Sequence, residues 1–248
     1  MSADPWPIAH RPFPPPTRPW VGFMSWRELL FAHWPIDPRM MRDRIPPQFE
    51  IATFDGTAWI GVVPFVMSNV RPRLAPAALP DFPELNVRTY VTHRGVAGVW
   101  FFSLDAASAH LVWGGREFVS LPYFNAAMRA TPAADGWTRY DTRRVHQGAP
   151  PAQWRGRYRA TGPVERSRPG TLEHFLTERY CLFSLTEHGQ VLRCDIDHAP
   201  WPLQRAEAEV EIDTMCEQID LRRPDTPPLL HFAKHMDVRT WWPAPADD

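Results

Sequence analysis

Phe82-Pro83-Glu84-Leu85-Asn86-Val87-Arg88-Thr89-Tyr90-Val91 alternates apolar and polar side chains along most of its length. A period of two marks a strand, whose successive side chains point to opposite faces. One face then carries Leu85, Val87, Thr89 and Val91, the other Glu84, Asn86, Arg88 and Tyr90. Glu84 and Arg88 lie four residues apart, roughly 13 Å along an ideal strand. Each is therefore expected to meet partners from neighbouring strands rather than the other. The pattern alone fits a solvated face as well as the lining of a polar pocket.

The segments on either side read the same way. Phe49 to Phe54, the pair Asp55-Gly56, and Thr57 to Met67 have the composition of a β-hairpin with a type I′ turn. Further strands are expected at 84–93, 97–105, 109–113, 116–120, 137–144, 153–161, 180–185, 190–197 and 236–242. Leu29 to Trp34 also reads as a strand. Short helices are expected after the cap Asp37-Pro38 and over Thr171 to Tyr180. Many short strands and few helices favour a barrel or sandwich over a βαβ fold. Arg155, Arg157 and Arg159 alternate with Trp154, Gly156 and Tyr158, a solvated face over a core face.

Composition bounds the rest. The chain has 248 residues with a net charge of −1, 44% hydrophobic and 22% charged, ordinary values for a soluble domain. No basic block supplies a footprint for nucleic acid or an anionic membrane. Proline reaches 29 residues, more than double the usual share of ~5%. Residues 1–20 hold seven of them and read as an extended arm anchored by Trp6, Phe13 and Trp20, with a single domain over 21–248. Cys181, Cys194 and Cys216 are widely spaced, fit neither a disulfide framework nor a zinc site, and suit a reducing compartment. No apolar leader and no run of 18 apolar residues is present, so a cytoplasmic protein is expected.

From Phe82 onward a longer order emerges: Glu84 on a strand, Gly95 to Gly98, Gly114-Gly115-Arg116-Glu117, then Pro122-Tyr123-Phe124-Asn125-Ala126. With Phe31-Ala32-His33-Trp34, Glu178-Arg179-Tyr180 and His198-Ala199-Pro200-Trp201-Pro202-Leu203, it resembles the YqjF-like branch of uncharacterised bacterial proteins in the acetoacetate decarboxylase-like superfamily. The resemblance implies a mainly β (α+β) fold, an antiparallel barrel of the acetoacetate decarboxylase-like type with a few short helices. In the decarboxylases a pocket glutamate corresponds to Glu84, a glycine–arginine–glutamate turn to Gly115-Arg116-Glu117, and a Pro-Lys-Lys segment to Pro122-Tyr123-Phe124. There the match fails. A Schiff-base nucleophile must be an amine made neutral by burial or an adjacent cation, and neither Tyr123 nor Phe124 has one.

Lys234 is the sole lysine, and the simpler reading of it is a stem on apolar surface with the ammonium in water. What remains is a pocket for a small organic acid or carbonyl compound. In it Arg88 or Arg116 would hold an anionic group, Glu84 would act as acid or base, and Tyr123 would donate to a developing oxyanion. His198, before a rigid Pro-Trp-Pro, has a pKa suited to proton transfer. Asn86, Tyr90, Glu178 and Tyr180 are the remaining candidate lining residues. The alternative is a non-catalytic protein in which these polar residues form a buried support network. His231 and His235 lack a third ligand nearby; no metal or nicotinamide cofactor is implied. The sequence leaves the ligand and the oligomeric state open.

Overall fold

A computed structural model describes residues 6–246. In chain order the elements are β1 (Gly22–Ile36), α1 (Pro38–Arg42), β2 (Glu50–Ile51), β3 (Ala58–Pro72), β4 (Phe82–His93), β5 (Val96–Ala106), α2 (Ala109–Val119), β6 (Tyr123–Pro132), β7 (Thr138–Arg144), β8 (Gln153–Ala160), α3 (Leu172–Thr177), β9 (Cys181–Leu185), β10 (Val191–Asp197), β11 (Gln204–Asp213), β12 (Leu229–Thr240) and β13 (Ala244–Pro245). Pairing in the order β4-β5-β6-β7-β8-β11-β12-β1-β3 and back to β4 closes a barrel. A second ring branches from it, because β9 pairs with β5, β10 with β9, and β12 with β10. The two rings share β12, β1, β3, β4 and β5. The pairings of β5 with β6 and with β9 are parallel, so the sheet is mixed rather than purely antiparallel. Among the described residues no helix is long and apolar enough to cross a membrane.

Shared strands have an interior on each side. Leu30, Ala32, Leu85, Val87 and Val91 pack with Tyr140, Trp154 and Tyr158 inside the larger barrel. Leu29, Phe31, Val63 and Phe65 pack with Leu104, Tyr123 and Trp201 inside the smaller ring. The two-residue period of β4 therefore separates one interior from another, not core from solvent. Glu84 and Asn86 are 2% and 4% exposed.

Several sequence expectations change in the structure. Residues 109–113 and 116–120 form helix α2, not two strands. Ser108 caps it, its hydroxyl accepting from the Leu111 amide at 3.4 Å. The Gly114-Gly115 pair that reads as a turn lies inside the helix, and a Cβ on Gly115 would lie 2.3 Å from the Tyr123 ring. The expected hairpin shrinks to its turn. Asp55 and Gly56 have positive φ as type I′ requires, but only Phe54 and Thr57 bridge. Both edges of β3 are taken by β1 and β4, so β2 pairs instead with β4 beyond Thr89.

Two strands carry no sequence signal for β structure. Strand β6 is rich in alanine, and β11 alternates Glu207 and Glu209 with small residues. Arg159 and Arg157 on β8 pair with those two glutamates across the ladder, which holds a strand of poor intrinsic propensity. Strand β12 begins at Leu229, earlier than expected. Lys234 lies on it with a side chain 69% exposed, paired to the carboxylate of Glu28.

The proline-rich arm is packed from Trp6 on; residues 1–5 lie outside the described part. The Trp6 ring meets Phe23 and the Arg239 guanidinium. The main anchor is a buried charge cluster. Arg11 donates to Asp197 at 2.6 Å and to the Ile196 carbonyl at 2.8 Å, and Arg239 donates to the other Asp197 oxygen at 2.5 Å. Removing Arg11 leaves Asp197 paired with Arg239 but strips charge-assisted hydrogen bonds from two buried acceptors, Asp197 Oδ1 and the Ile196 carbonyl, at about 1–3 kcal/mol each. Arg11→Ala is accordingly expected to lower unfolding free energy by about 3 kcal/mol in a urea titration. The substitution Arg27→Ala, at an exposed pair with Asp81, should change it by less than about 1 kcal/mol.

Candidate functional site

The smaller ring encloses a cavity of about 490 Å³. Strands β1, β3, β4 and β5 form one wall, and β9, β10 and α2 the other. Most of the lining is apolar, including Leu29, Val63, Phe65, Met67, Leu104 and Leu182. Against it stand Glu84, Asn86 and Arg88, delivered by alternate positions of β4, together with Tyr123, Arg179 and His198. Trp26 and Trp201 also line it, their rings stacked at 5.7 Å.

Glu84 and Tyr123 form a pair: the phenol donates to Glu84 Oε2 at 3.2 Å. Strand position is fixed from the other barrel, where Tyr140 donates to the Glu84 carbonyl at 2.7 Å. Burial pushes the Glu84 carboxyl up to about 8, with the Tyr123 hydrogen bond opposing and the Asp105 charge adding to the rise. The residue is thus a neutral acid at pH 7, in the range where one group can both donate and accept a proton. Burial and the neighbouring carboxyl hold the Tyr123 phenol well above its ordinary value.

Arg88 and Arg179 lie toward the other end. The Arg88 guanidinium lies 5.0 Å from the Phe31 ring and 5.9 Å from Tyr90; that of Arg179 lies 5.1 Å from Tyr90 and 4.6 Å from Phe175. Among the described residues neither forms an ion pair with a carboxylate, and the Nε of each is buried with no acceptor. Burial brings Arg179 down to about 10, so it stays cationic at neutral pH. Tyr90 is held between them: it donates to the Leu176 carbonyl at 2.6 Å and accepts from His33 Nε2 at 2.7 Å. Burial first, then the Arg88 charge, keeps His33 well below its ordinary pKa and therefore neutral.

Other polar atoms on the lining share this condition. Asn86 Oδ1, Trp26 Nε1 and Trp201 Nε1 are buried without a hydrogen-bond partner. Each such atom costs about 1–3 kcal/mol. With the two guanidinium Nε atoms, five buried polar atoms without a partner among the described residues thus line this one cavity.

The structure brings Glu84, Asn86, Arg88, Tyr123 and His198 to this cavity and sets the other candidates apart. Tyr90 lies behind the arginines. His198 presents its ring to the wall, but Nδ1 faces the Ala199 carbonyl at 2.7 Å and Nε2 the Arg179 carbonyl at 3.1 Å. Both nitrogens face backbone carbonyls, of which a neutral ring can donate to only one, so the ring braces the turn. Glu178 accepts from the Trp201 amide at 2.9 Å and from the Tyr180 phenol, and Tyr180 stacks on His198 at 4.6 Å. Both belong to the support behind the wall. Arg116 donates to the Tyr123 carbonyl at 2.9 Å and faces an outer cleft with Glu117 and Phe124. The helix that replaces the expected strand turns it away from the cavity. Arg179 is the residue that sequence reasoning missed. Its signal was alternation, because pointing Glu178 and Tyr180 one way points Arg179 the other. The one lysine, Lys234, is absent from the lining.

Comparison with known proteins agrees with this architecture. The fold is similar to acetoacetate decarboxylase from Legionella pneumophila, with a TM-score of 0.62, 15% identity and 100% of each chain covered. It is also similar to the enduracididine biosynthesis enzyme MppR complexed with pyruvate, with a TM-score of 0.61, 10% identity, and 96% and 93% of the two chains covered. An acetoacetate decarboxylase-like enzyme from Sphingomonas wittichii gives a TM-score of 0.60 at 14% identity, covering 96% and 98%. Uncharacterized protein YqjF of Bacillus subtilis is 39% identical over 225 residues, 90% of this chain and 91% of that protein. Residues 23–237 match the family model of an uncharacterized conserved protein, DUF2071, and the chain belongs to that family.

Proposed function

We propose that the cavity binds an organic carboxylate or carbonyl compound through Arg88 and Arg179, and that any turnover there uses the Glu84–Tyr123 pair without an imine. The observation that carries this reading is the pair of guanidinium groups in a largely apolar cavity with, among the described residues, no carboxylate in an ion pair with either. Leaving buried cations uncompensated costs several kcal/mol, and an anionic ligand with bidentate geometry offsets it. The pyruvate complex of MppR supports the reading by showing a carboxylate bound within this fold. An imine needs an amine, and no lysine lines the cavity. Glu84 in its neutral form can donate to a carbonyl oxygen, and the Tyr123 hydroxyl then stabilises the carboxylate left behind. The competing reading, a purely structural polar network, fits Glu178 and Tyr180, whose polar atoms are matched inside the protein.

The two readings differ in what Arg88→Gln does. Under binding, unfolding free energy should not fall and should rise by up to several kcal/mol, because a buried uncompensated charge is removed and no ion pair is broken. The affinity for phenylacetate, followed by tryptophan fluorescence, should fall at least about ten-fold. A loss of several kcal/mol with unchanged affinity would favour the structural role.

Glu84 gives a second test. Its folded pKa is raised to about 8 from 4.5, so between those values the native state holds a proton that the unfolded chain has released. Stability should be greatest below about pH 4.5 for this group and fall toward pH 8, by up to about 1.4 kcal/mol per pH unit. In Glu84→Gln that component should vanish from urea unfolding measured across pH 5–8, without loss of fold at neutral pH. Identical pH slopes in both proteins would contradict the assignment.

A further inference from the structure

The cavity has two unlike ends. Along β4, Glu84 lies toward the mouth, Asn86 in the middle and Arg88 at the far end, a run of roughly 13 Å at strand rise. The arginine end is covered by α3: Tyr90 donates to Leu176, Arg179 lies over Phe175, and Thr177 lines the cavity. The mouth is open and aromatic. Phe118 and Trp242 line it at 52% and 54% exposure, with rings 6.4 Å apart, and Phe118 meets Trp113, 62% exposed, at 5.3 Å. Leu79 continues the rim at 40% exposure. Neighbouring exposed apolar side chains around an opening fit the rim of a ligand-binding groove.

We infer that the ligand is an amphipathic monocarboxylate with a long apolar body, its carboxylate on Arg88 and Arg179 and its tail running past Leu29, Phe65 and Leu104 to the aromatic rim. This rests on the reading of the cavity as a carboxylate site and adds the class of acid. A three-carbon acid held at the arginines would leave most of the apolar wall uncovered. It would also fall short of Glu84, some four residues of strand away, because the Arg88 guanidinium leans toward Phe31 and Tyr90. An apolar chain of about 15 Å, the depth of one bilayer leaflet, matches the run from the arginines toward the rim. The unmatched Trp26 Nε1, Trp201 Nε1 and Asn86 Oδ1 lie along it, suited to one polar substituent part-way down the chain.

Calorimetric titration of the full chain with acetate, pyruvate, octanoate, decanoate and dodecanoate, each below its micelle-forming concentration, tests this. Affinity should rise about three- to four-fold per added methylene, reaching at least 100-fold between pyruvate and dodecanoate. Arg88→Gln should weaken dodecanoate ten-fold or more and leave dodecan-1-ol unchanged. If pyruvate binds as tightly as dodecanoate and both depend on Arg88, the carboxylate site stands and the long-chain class falls. If dodecanoate binds equally well to wild type and Arg88→Gln, the orientation is wrong and the inference falls. If no acid binds, this inference and the carboxylate reading both fall.

Discussion

Strand β4, shared by two closed rings, has no solvent face along its central residues, and most of the site follows from that constraint. A strand of an open antiparallel sheet can carry polar residues toward water at no cost. Here β4 cannot. Its Glu84, Asn86 and Arg88 are forced into an interior, where each must be neutralised, hydrogen-bonded or matched by something that enters. The protein applies a different remedy to each. Glu84 keeps its proton and shares a hydrogen bond with Tyr123. Tyr90 satisfies the Leu176 carbonyl and meets His33 Nε2. Arg88 and Arg179 settle over aromatic rings and remain charged.

The same constraint explains how much could be read beforehand. The period of two in β4 was legible, and the division of its residues into two faces is the one observed. What lay behind the polar face was not legible, because alternation reads the same against water and against a second cavity. The helix α2 was hidden by Gly114-Gly115, a pair that signals a turn in isolation but here lets the helix pass over the Tyr123 ring. Strands β6 and β11 were hidden because ladder partners, not propensity, make them strands. Of the candidate site, the β4 residues and Tyr123 were visible from resemblance. Arg116 was misplaced with the helix that carries it, and Arg179 was overshadowed by its neighbours Glu178 and Tyr180.

Chemically, a phenol rather than an amine at Tyr123 limits what the cavity can support. A neutral carboxylic acid beside a phenol is a hydrogen-bond donor pair rather than a nucleophile, suited to polarising a carbonyl or holding a hydroxyl. The cationic end lies at a distance set by strand geometry. If the cavity holds a carboxylate as proposed, the separation between acid pair and guanidinium pair would act as a ruler, set by the backbone of a single strand rather than by flexible loops.

The arm imposes an order on assembly. Arg11 is bound to Asp197 and Arg239, and Arg18 accepts from Trp241 Nε1 at 2.7 Å, so the first described residues are fastened by some of the last. Strand β1 likewise pairs along its length with β12. A chain emerging from the ribosome must therefore hold its N-terminal segment unpaired until β12 has been made. Only then can the wall around His198 close. Such long-range closure slows folding and leaves the proline-rich segment, which is poorly suited to forming sheet on its own, as the part that waits.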